Sequence, residues 1–180
     1  MGLCGVCLSA RACATTYRAG LGLGPLFAFQ EGVAKHTGMS IGTTVMIVGV
    51  SLVLLATLVR NRPGPGTMVL PFLMGAILDR ILPHVGEING LVFRYAAVLL
   101  GTFFMCCGGA LVISAALGAP AIDGVMLGLT KMTGWPVRRV RLAMEATMLA
   151  LGWVLGGSIG VGTVITGGLV GPSLHFWLTL

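Results

Sequence analysis

Long apolar stretches alternate along the chain with short polar or Gly/Pro-rich breaks. Residues 41–59 are 19 successive positions without a charge, and no Lys, Arg, Asp or Glu follows Glu145. A helix needs about 20 apolar residues to cross the hydrocarbon core of a bilayer. The ten-residue alternating segments of an outer-membrane barrel are absent from the sequence. The pattern therefore predicts an all-α integral membrane protein.

The breaks divide the chain into eight predicted helical segments. These are residues 2–17, Pro25–Thr37, 41–59, 67–82, 92–116, Ala121–Thr133, 137–155 and 163–178. Two of them, Pro25–Thr37 and Ala121–Thr133, have only 13 residues. A helix of that length reaches about 20 Å, which favours a re-entrant or interfacial segment over a span.

Matching residues recur at a constant offset of 96 positions. The matches include Gly5 with Gly101, Leu21 with Leu117, Gly32 with Gly128, Lys35 with Lys131, Thr37 with Thr133, Gly38 with Gly134, Gly66 with Gly162, and Thr67 with Thr163. A fixed period of this kind is the sequence signature of duplication. We therefore predict a first helical repeat at 1–82, a connecting loop at 83–96 and a second helical repeat at 97–180.

Two topologies are compatible with two tandem four-segment repeats. If the short segments do not cross the membrane, the chain has six spans plus two re-entrant or half-helices, and the repeats are inverted. If they cross, it has eight spans and the repeats are parallel. The distribution of charged residues does not decide between the two topologies, whereas the length of the short segments favours six spans. Both topologies place the termini in the cytoplasm. Arg11 would lie in the middle of the first predicted span, where a charged side chain has a high free-energy cost. We therefore also expect a few residues to precede Met1.

Composition agrees with a lipid environment. Hydrophobic residues make up 56% of the chain and charged residues 9%, whereas soluble domains carry about 25% charged residues. The net charge of +6 comes from small basic groups at the ends of apolar runs, as the positive-inside rule predicts. Partners should accordingly include the lipid bilayer and no nucleic acid.

Several motifs resemble those of the YczE/YyaS-type family of bacterial multipass membrane proteins. They are RAGLGLGP at 18–25, TGMSIGT at 37–43, RPGPGT at 62–67, DGVMLG at 123–128, VRRVR at 137–141, LGWVLGG at 151–157 and GVGT at 160–163. The resemblance covers nearly the whole chain and implies a bacterial cytoplasmic-membrane location without implying an activity. Phe27 stands where the family usually has an acidic residue, and Pro120-Ala121 replaces its second Gly-Pro, so a symmetric acidic pair is not expected.

Ionisable residues within the predicted helices are the candidate binding residues. Glu145 lies in a predicted span with Arg141 four residues earlier on the same helical face; the pair binds a proton or solute, or else fixes helix packing. Asp123 and Glu31 lie in the two short segments. They would line a site at the membrane midplane if these segments re-enter, and would lie among headgroups if the segments are interfacial.

Thr67 and Thr163 begin the last helix of each repeat, after glycine. Their hydroxyls suit helix capping better than ligand binding. Cys4 and Cys7 have Cys-x-x-Cys spacing but lie in an apolar helix without a nearby His, so no metal or other cofactor is expected.

No arrangement of nucleophile, base and acid is visible, so we do not expect an enzyme. Duplication and two short charged segments favour a small secondary-transporter or permease-like protein for an unknown small solute. The alternative is a non-transporting membrane accessory or scaffold protein. Association with a second copy of the chain or with another membrane protein stays open.

Overall fold

The computed structural model of the chain describes residues 2–59, 61, 64–86, 88, 90–114 and 120–178. These residues form eight α-helices and one 3-10 turn, which confirms the predicted all-α class. The helices are α1 (Gly2–Ala19), α2 (Pro25–Thr37), α3 (Ile41–Leu58), α4 (Pro65–Ile81), α5 (Leu91–Ser114), α6 (Ala121–Thr133), α7 (Val137–Val154) and α8 (Val161–Leu178), with the 3-10 turn at Leu82–His84. The predicted matches and basic residues at 60, 62, 117 and 118 lie outside the described residues.

Three stretches in the described part of the chain are long and apolar enough to cross a membrane. They are Ile41–Leu58, Gly66–His84 and Leu91–Val112, and a shorter apolar stretch covers Val161–Val170. Helix α7 is more polar because three arginines and Glu145 lie along it. The chain thus contains several membrane-compatible helices with different apolar lengths.

The two short helices have the bounds predicted for them, and each ends at a glycine. Gly38 after α2 and Gly134 after α6 have φ angles of 71° and 69°. This left-handed conformation favours glycine and ends a helix by turning the chain away from its axis. Ser40 then caps α3 by accepting a hydrogen bond from the Thr43 N–H.

One end of the bundle is defined by Asp79, near the C-terminus of α4. Its carboxylate accepts hydrogen bonds from the Ser40 hydroxyl at 2.6 Å and from the Gly42 N–H at 2.7 Å, at the start of α3. Arg18, in the last turn of α1, donates to the Leu82 carbonyl oxygen at 2.9 Å. The end of α1 and the start of α3 therefore lie together, and we call this side the Asp79 end.

The opposite side, the Asn61 end, contains the C-terminus of α3. The Asn61 amide donates to the Gly124 carbonyl oxygen of α6 at 3.0 Å. Farther along α6, a methyl group on Gly128 would contact Val59. Helix α6 therefore runs along the last turn of α3 toward the Asn61 end. The two short helices thus run toward opposite ends of the bundle.

Small residues bring α1 and α5 into close contact. A Cβ atom on Gly5 would lie 2.8 Å from the Gly108 carbonyl oxygen, and the Ser9 hydroxyl donates to the Met105 carbonyl oxygen at 3.4 Å. Helix α2 packs mainly on α7, and α6 packs on α3 and α7. Small side chains allow helix backbones to approach in this way inside a membrane.

Candidate functional site

A cavity of about 340 Å³ lies among α1 to α6, and we call it the central cavity. Its walls are mostly apolar; Leu52 of α3, Leu70 and Met74 of α4, and Met105 of α5 contribute to them. Of the six candidate residues from the sequence, Thr67 lines this cavity. The cavity has the size of a small-molecule site.

The first turns of both short helices line the central cavity. Leu26 and Phe27 belong to α2, and Ala121 and Ile122 belong to α6. No side chain caps the N-terminus of α2, which begins at Pro25. The first N–H groups of a helix have no acceptor within the helix and form the positive end of its dipole. Two positive helix ends therefore face one cavity.

Gln30 is a polar residue in the wall of this apolar cavity. Only 4% of it is exposed, it lines the central cavity, and its amide makes no hydrogen bond to any part of the chain that the structure describes. The Gln30 amide is thus available to a molecule inside the cavity.

A second cavity, of about 390 Å³, lies at the Asp79 end, and we call it the charged cavity. Its polar lining consists of Tyr17, Arg18, Glu31, Lys35, Arg94 and Ser158. These residues come from both halves of the chain. Helix α2 contributes to both cavities, since Glu31 faces the charged cavity and Gln30 faces the central one.

Glu31 connects α2 to the turn that follows α7. Its side chain is 5% exposed and accepts a hydrogen bond from the Lys35 ammonium at 2.8 Å. The carboxylate also accepts from the Ser158 N–H at 3.0 Å and from the Ser158 hydroxyl at 2.8 Å. Three donors, from Lys35 and Ser158, therefore bind this buried carboxylate.

Arg141 and Glu145 form the pair that their spacing predicts, with Arg141 Nε 3.0 Å from Glu145 Oε1. Their side chains are 48% and 33% exposed. Asp123 lies in the first turn of α6. Arg141 lies close enough to Asp123 for the guanidinium and the carboxyl to interact electrostatically. These three residues form a group separate from Glu31.

Thr163 lies in the first turn of α8. Its hydroxyl accepts a hydrogen bond from the Gly160 N–H at 3.3 Å, and its own N–H donates to the Gly160 carbonyl oxygen at 3.0 Å. This reciprocal pair fixes the start of α8. In the described residues, no group of His, Cys, Asp and Glu side chains could hold a metal ion.

Sequence reasoning did not single out Arg18, Arg94, Gln30, Asp79 or Ser158 for a role. Gln30 could have been selected as the polar neighbour of Glu31 in a short helix. The others gain their roles from contacts between helices that are far apart in the sequence, such as Ser158 with Glu31. No pattern of neighbouring residues in the sequence indicates such contacts.

Comparisons with known proteins agree with the membrane assignment. A family of unknown function, DUF6198, matches residues 1–179. The uncharacterized membrane protein YczE of Bacillus subtilis strain 168 is 36% identical over 164 residues, which cover 88% of this chain and 74% of that protein. An uncharacterized protein of Haemophilus influenzae is 28% identical over 165 residues, covering 89% of this chain and 74% of that protein.

The uncharacterized protein YyaS of Bacillus subtilis is 24% identical over 169 residues, covering 92% of this chain and 84% of that protein. The resemblance carried by the motifs is therefore confirmed. No solved structure gives a significant match. Together with the apolar helices, the similarity to YczE assigns the chain to a bacterial membrane.

Proposed function

The chain belongs to the DUF6198 family, and from that premise we propose that it is a small secondary-transporter or permease-like protein of the bacterial cytoplasmic membrane. The observation that carries the proposal is the central cavity, which the first turns of α2 and α6 line together. Transporters built from inverted repeats commonly bind their solutes between helix ends of this kind, near the bilayer midplane.

The proposal includes an inverted duplication. Three helices of the first half begin 96 residues before three helices of the second: Pro25 and Ala121, Ile41 and Val137, and Pro65 and Val161. Equivalent contacts also recur, since Gly32 of α2 lies against Leu155 and Gly128 of α6 lies against Val59. A two-fold relation between oppositely oriented halves accounts for both observations.

The directions of the helices support six membrane crossings. Helix α1 ends at the Asp79 end and α3 begins there, so α2 enters and leaves on one side. Helix α6 would do the same at the Asn61 end. The proposal places the Asp79 end outside the cell and both termini in the cytoplasm, since the basic residues of 138–141 then lie inside.

Helix α2 lies between the two cavities. Glu31 faces the charged cavity and Gln30 faces the central cavity. The hydrogen bonds from Ser158 to Glu31 hold α2 against the second half of the chain. A small displacement of α2 would connect the cavities and open the central cavity to the outside, which is the step that alternating access requires.

Gly109 offers a test because it lines the central cavity and a Cβ atom there meets nothing within 4 Å. We expect Gly109→Leu to fill the cavity and abolish solute flux without disturbing the fold. Gly168→Leu is the matched control, since Gly168 also lies on a helix with nothing within 4 Å of a Cβ atom and is not among the described residues that line the cavity.

Flux would be measured in proteoliposomes with labelled hexanesulfonate, glucose and choline as an anion, a neutral solute and a cation. The proposal requires flux of at least one of them, lost in Gly109→Leu and kept in Gly168→Leu. Absence of flux for all three, together with recovery of a specific membrane partner by cross-linking, would favour the accessory or scaffold function.

A further inference from the structure

Charge is unevenly distributed in the charged cavity. Three cationic side chains and one carboxylate line it, which gives a net formal charge of +2. Lys35 does not contribute to the excess, because its ammonium has three acceptors: Glu31 Oε1 at 2.8 Å, the Gly156 carbonyl oxygen at 3.1 Å and Ser158 Oγ at 3.1 Å. An ammonium group has three N–H donors, so Lys35 and Glu31 neutralise and satisfy each other.

The excess positive charge therefore belongs to Arg18 and Arg94. Arg18 donates one hydrogen bond, to the Leu82 carbonyl oxygen, and its buried Nε atom has no partner among the described residues. Arg94 donates from Nε to the Ile88 carbonyl oxygen at 3.0 Å, and its terminal nitrogens make no hydrogen bond in the described chain. A guanidinium has five donors, and unused ones suit a carboxylate, sulfonate or phosphate group.

The central cavity also favours a negatively charged group. The positive end of α2 is not compensated, since no acidic residue lies in its first turn. Gln30 is 4% exposed as a whole residue, and its amide makes no hydrogen bond among the described residues, so it can donate to a group bound beside that helix end. A helix N-terminus with an unsatisfied side-chain donor next to it favours an anion.

The remaining walls of the central cavity are apolar. Leu52, Leu70 and Met74 are among the side chains that would contact most of a bound molecule. An inorganic anion would be surrounded there by groups that cannot replace its hydration. A molecule with an apolar body would instead gain from burial.

From these two cavities we propose that the solute is a small organic anion with an apolar body. Arg18 and Arg94 attract its head group at the outer mouth. The head group then binds beside Gln30 at the first turn of α2, and the body fills the central cavity. The movement of this anion rests on the transport function proposed above, whereas its binding can be measured without transport.

Hexanesulfonate is a suitable probe because it stays ionised at neutral pH and does not cross the bilayer as a neutral acid. Its binding would be measured by calorimetry with the full chain in phosphatidylcholine nanodiscs. We expect saturable binding that is about tenfold or more weaker for methanesulfonate, which lacks the body, and for hexanesulfonamide, which lacks the charge. A loss of this size corresponds to one hydrogen bond to a charged group or a few buried methylenes.

Variants locate the site. We expect Arg94→Gln and Gln30→Leu each to weaken hexanesulfonate binding by about tenfold. Arg94→Lys keeps the charge and should lie between wild type and Arg94→Gln. The matched control is Arg139→Gln, an exposed arginine in the first turn of α7, which should bind as wild type does. Equal affinity for hexanesulfonate and hexanesulfonamide, or full affinity in both Arg94→Gln and Gln30→Leu, would overturn the proposal.

A lipid headgroup could supply the same anionic chemistry. Nanodiscs that contain phosphatidylglycerol separate the two sources. Hexanesulfonate binding that persists supports a free solute; binding that the lipid abolishes assigns the site to a lipid and overturns the solute. Binding without flux contradicts the transport function alone, and flux of choline or glucose without hexanesulfonate binding contradicts the anion alone.

Discussion

Glu31 on α2 accepts two hydrogen bonds from Ser158, which lies 127 residues later in the turn between α7 and α8. One donor is the backbone N–H and the other is the hydroxyl. This contact ties a short helix of the first half to the second half of the chain. The position of α2 between the two cavities therefore depends on residues that no local sequence pattern connects.

Loss of this contact should lower stability by a measurable amount. Ser158→Ala removes the hydroxyl that donates to Glu31 and accepts from the exposed Lys35 ammonium, and loss of the buried bond to Glu31 alone costs about 1.5–3 kcal/mol. Glu31→Gln removes the charge that satisfies Lys35 and should cost at least as much. The measurement is thermal unfolding in detergent, with both single variants and the double variant. Because the residues share the contact, the two losses should not add; simple addition would show that they act separately.

Gly22 should tolerate alanine much less well than its neighbour Gly20. Both glycines have positive φ angles, +89° and +66°, but a Cβ atom on Gly22 would lie 2.8 Å from the Gly160 N atom, while one on Gly20 meets nothing within 4 Å. Gly20→Ala should cost about 1–2 kcal/mol from backbone strain alone. Gly22→Ala adds a clash at the start of α8 and should unfold at a clearly lower temperature. Similar midpoints for both variants would contradict this contact.

Cysteine labelling should distinguish six crossings from eight. Met39, between α2 and α3, and His84, after α4, are exposed at the Asp79 end. In a cysteine-free background, Met39→Cys and His84→Cys should react with an impermeant maleimide added to intact cells. Eight crossings would place both inside. Trp135→Cys is the control, since residue 135 is cytoplasmic in either topology and should stay unlabelled until the cells are opened.

Local features of the fold were predictable because they depend on nearby residues. The bounds of α2 and α6 follow from Gly38 and Gly134, which end each helix in the left-handed conformation. The contact between Arg141 and Glu145 follows from their spacing on one helix. Each of these features is determined within a few turns of the chain.

The sites were less predictable because their residues come together through packing. Asp79 binds the start of α3 from a different helix, and Arg94 reaches the charged cavity from the start of α5. The sequence marks Glu31 as an ionisable residue in a short segment. Its partner Ser158 could not be identified, since a serine after two glycines is common in any helix connection.

Each short helix packs mainly on a helix of the other half of the chain, and this has a consequence for each half on its own. Helix α2 packs mainly on α7, and α6 packs more on α3 than on its own neighbour α7. A polypeptide limited to residues 1–82 would lack α7 and leave the buried face of α2, including Glu31, without cover. Under the inverted arrangement proposed above, such a fragment would need a second fragment inserted in the opposite direction, and one gene carrying both halves would supply the two orientations in equal amounts.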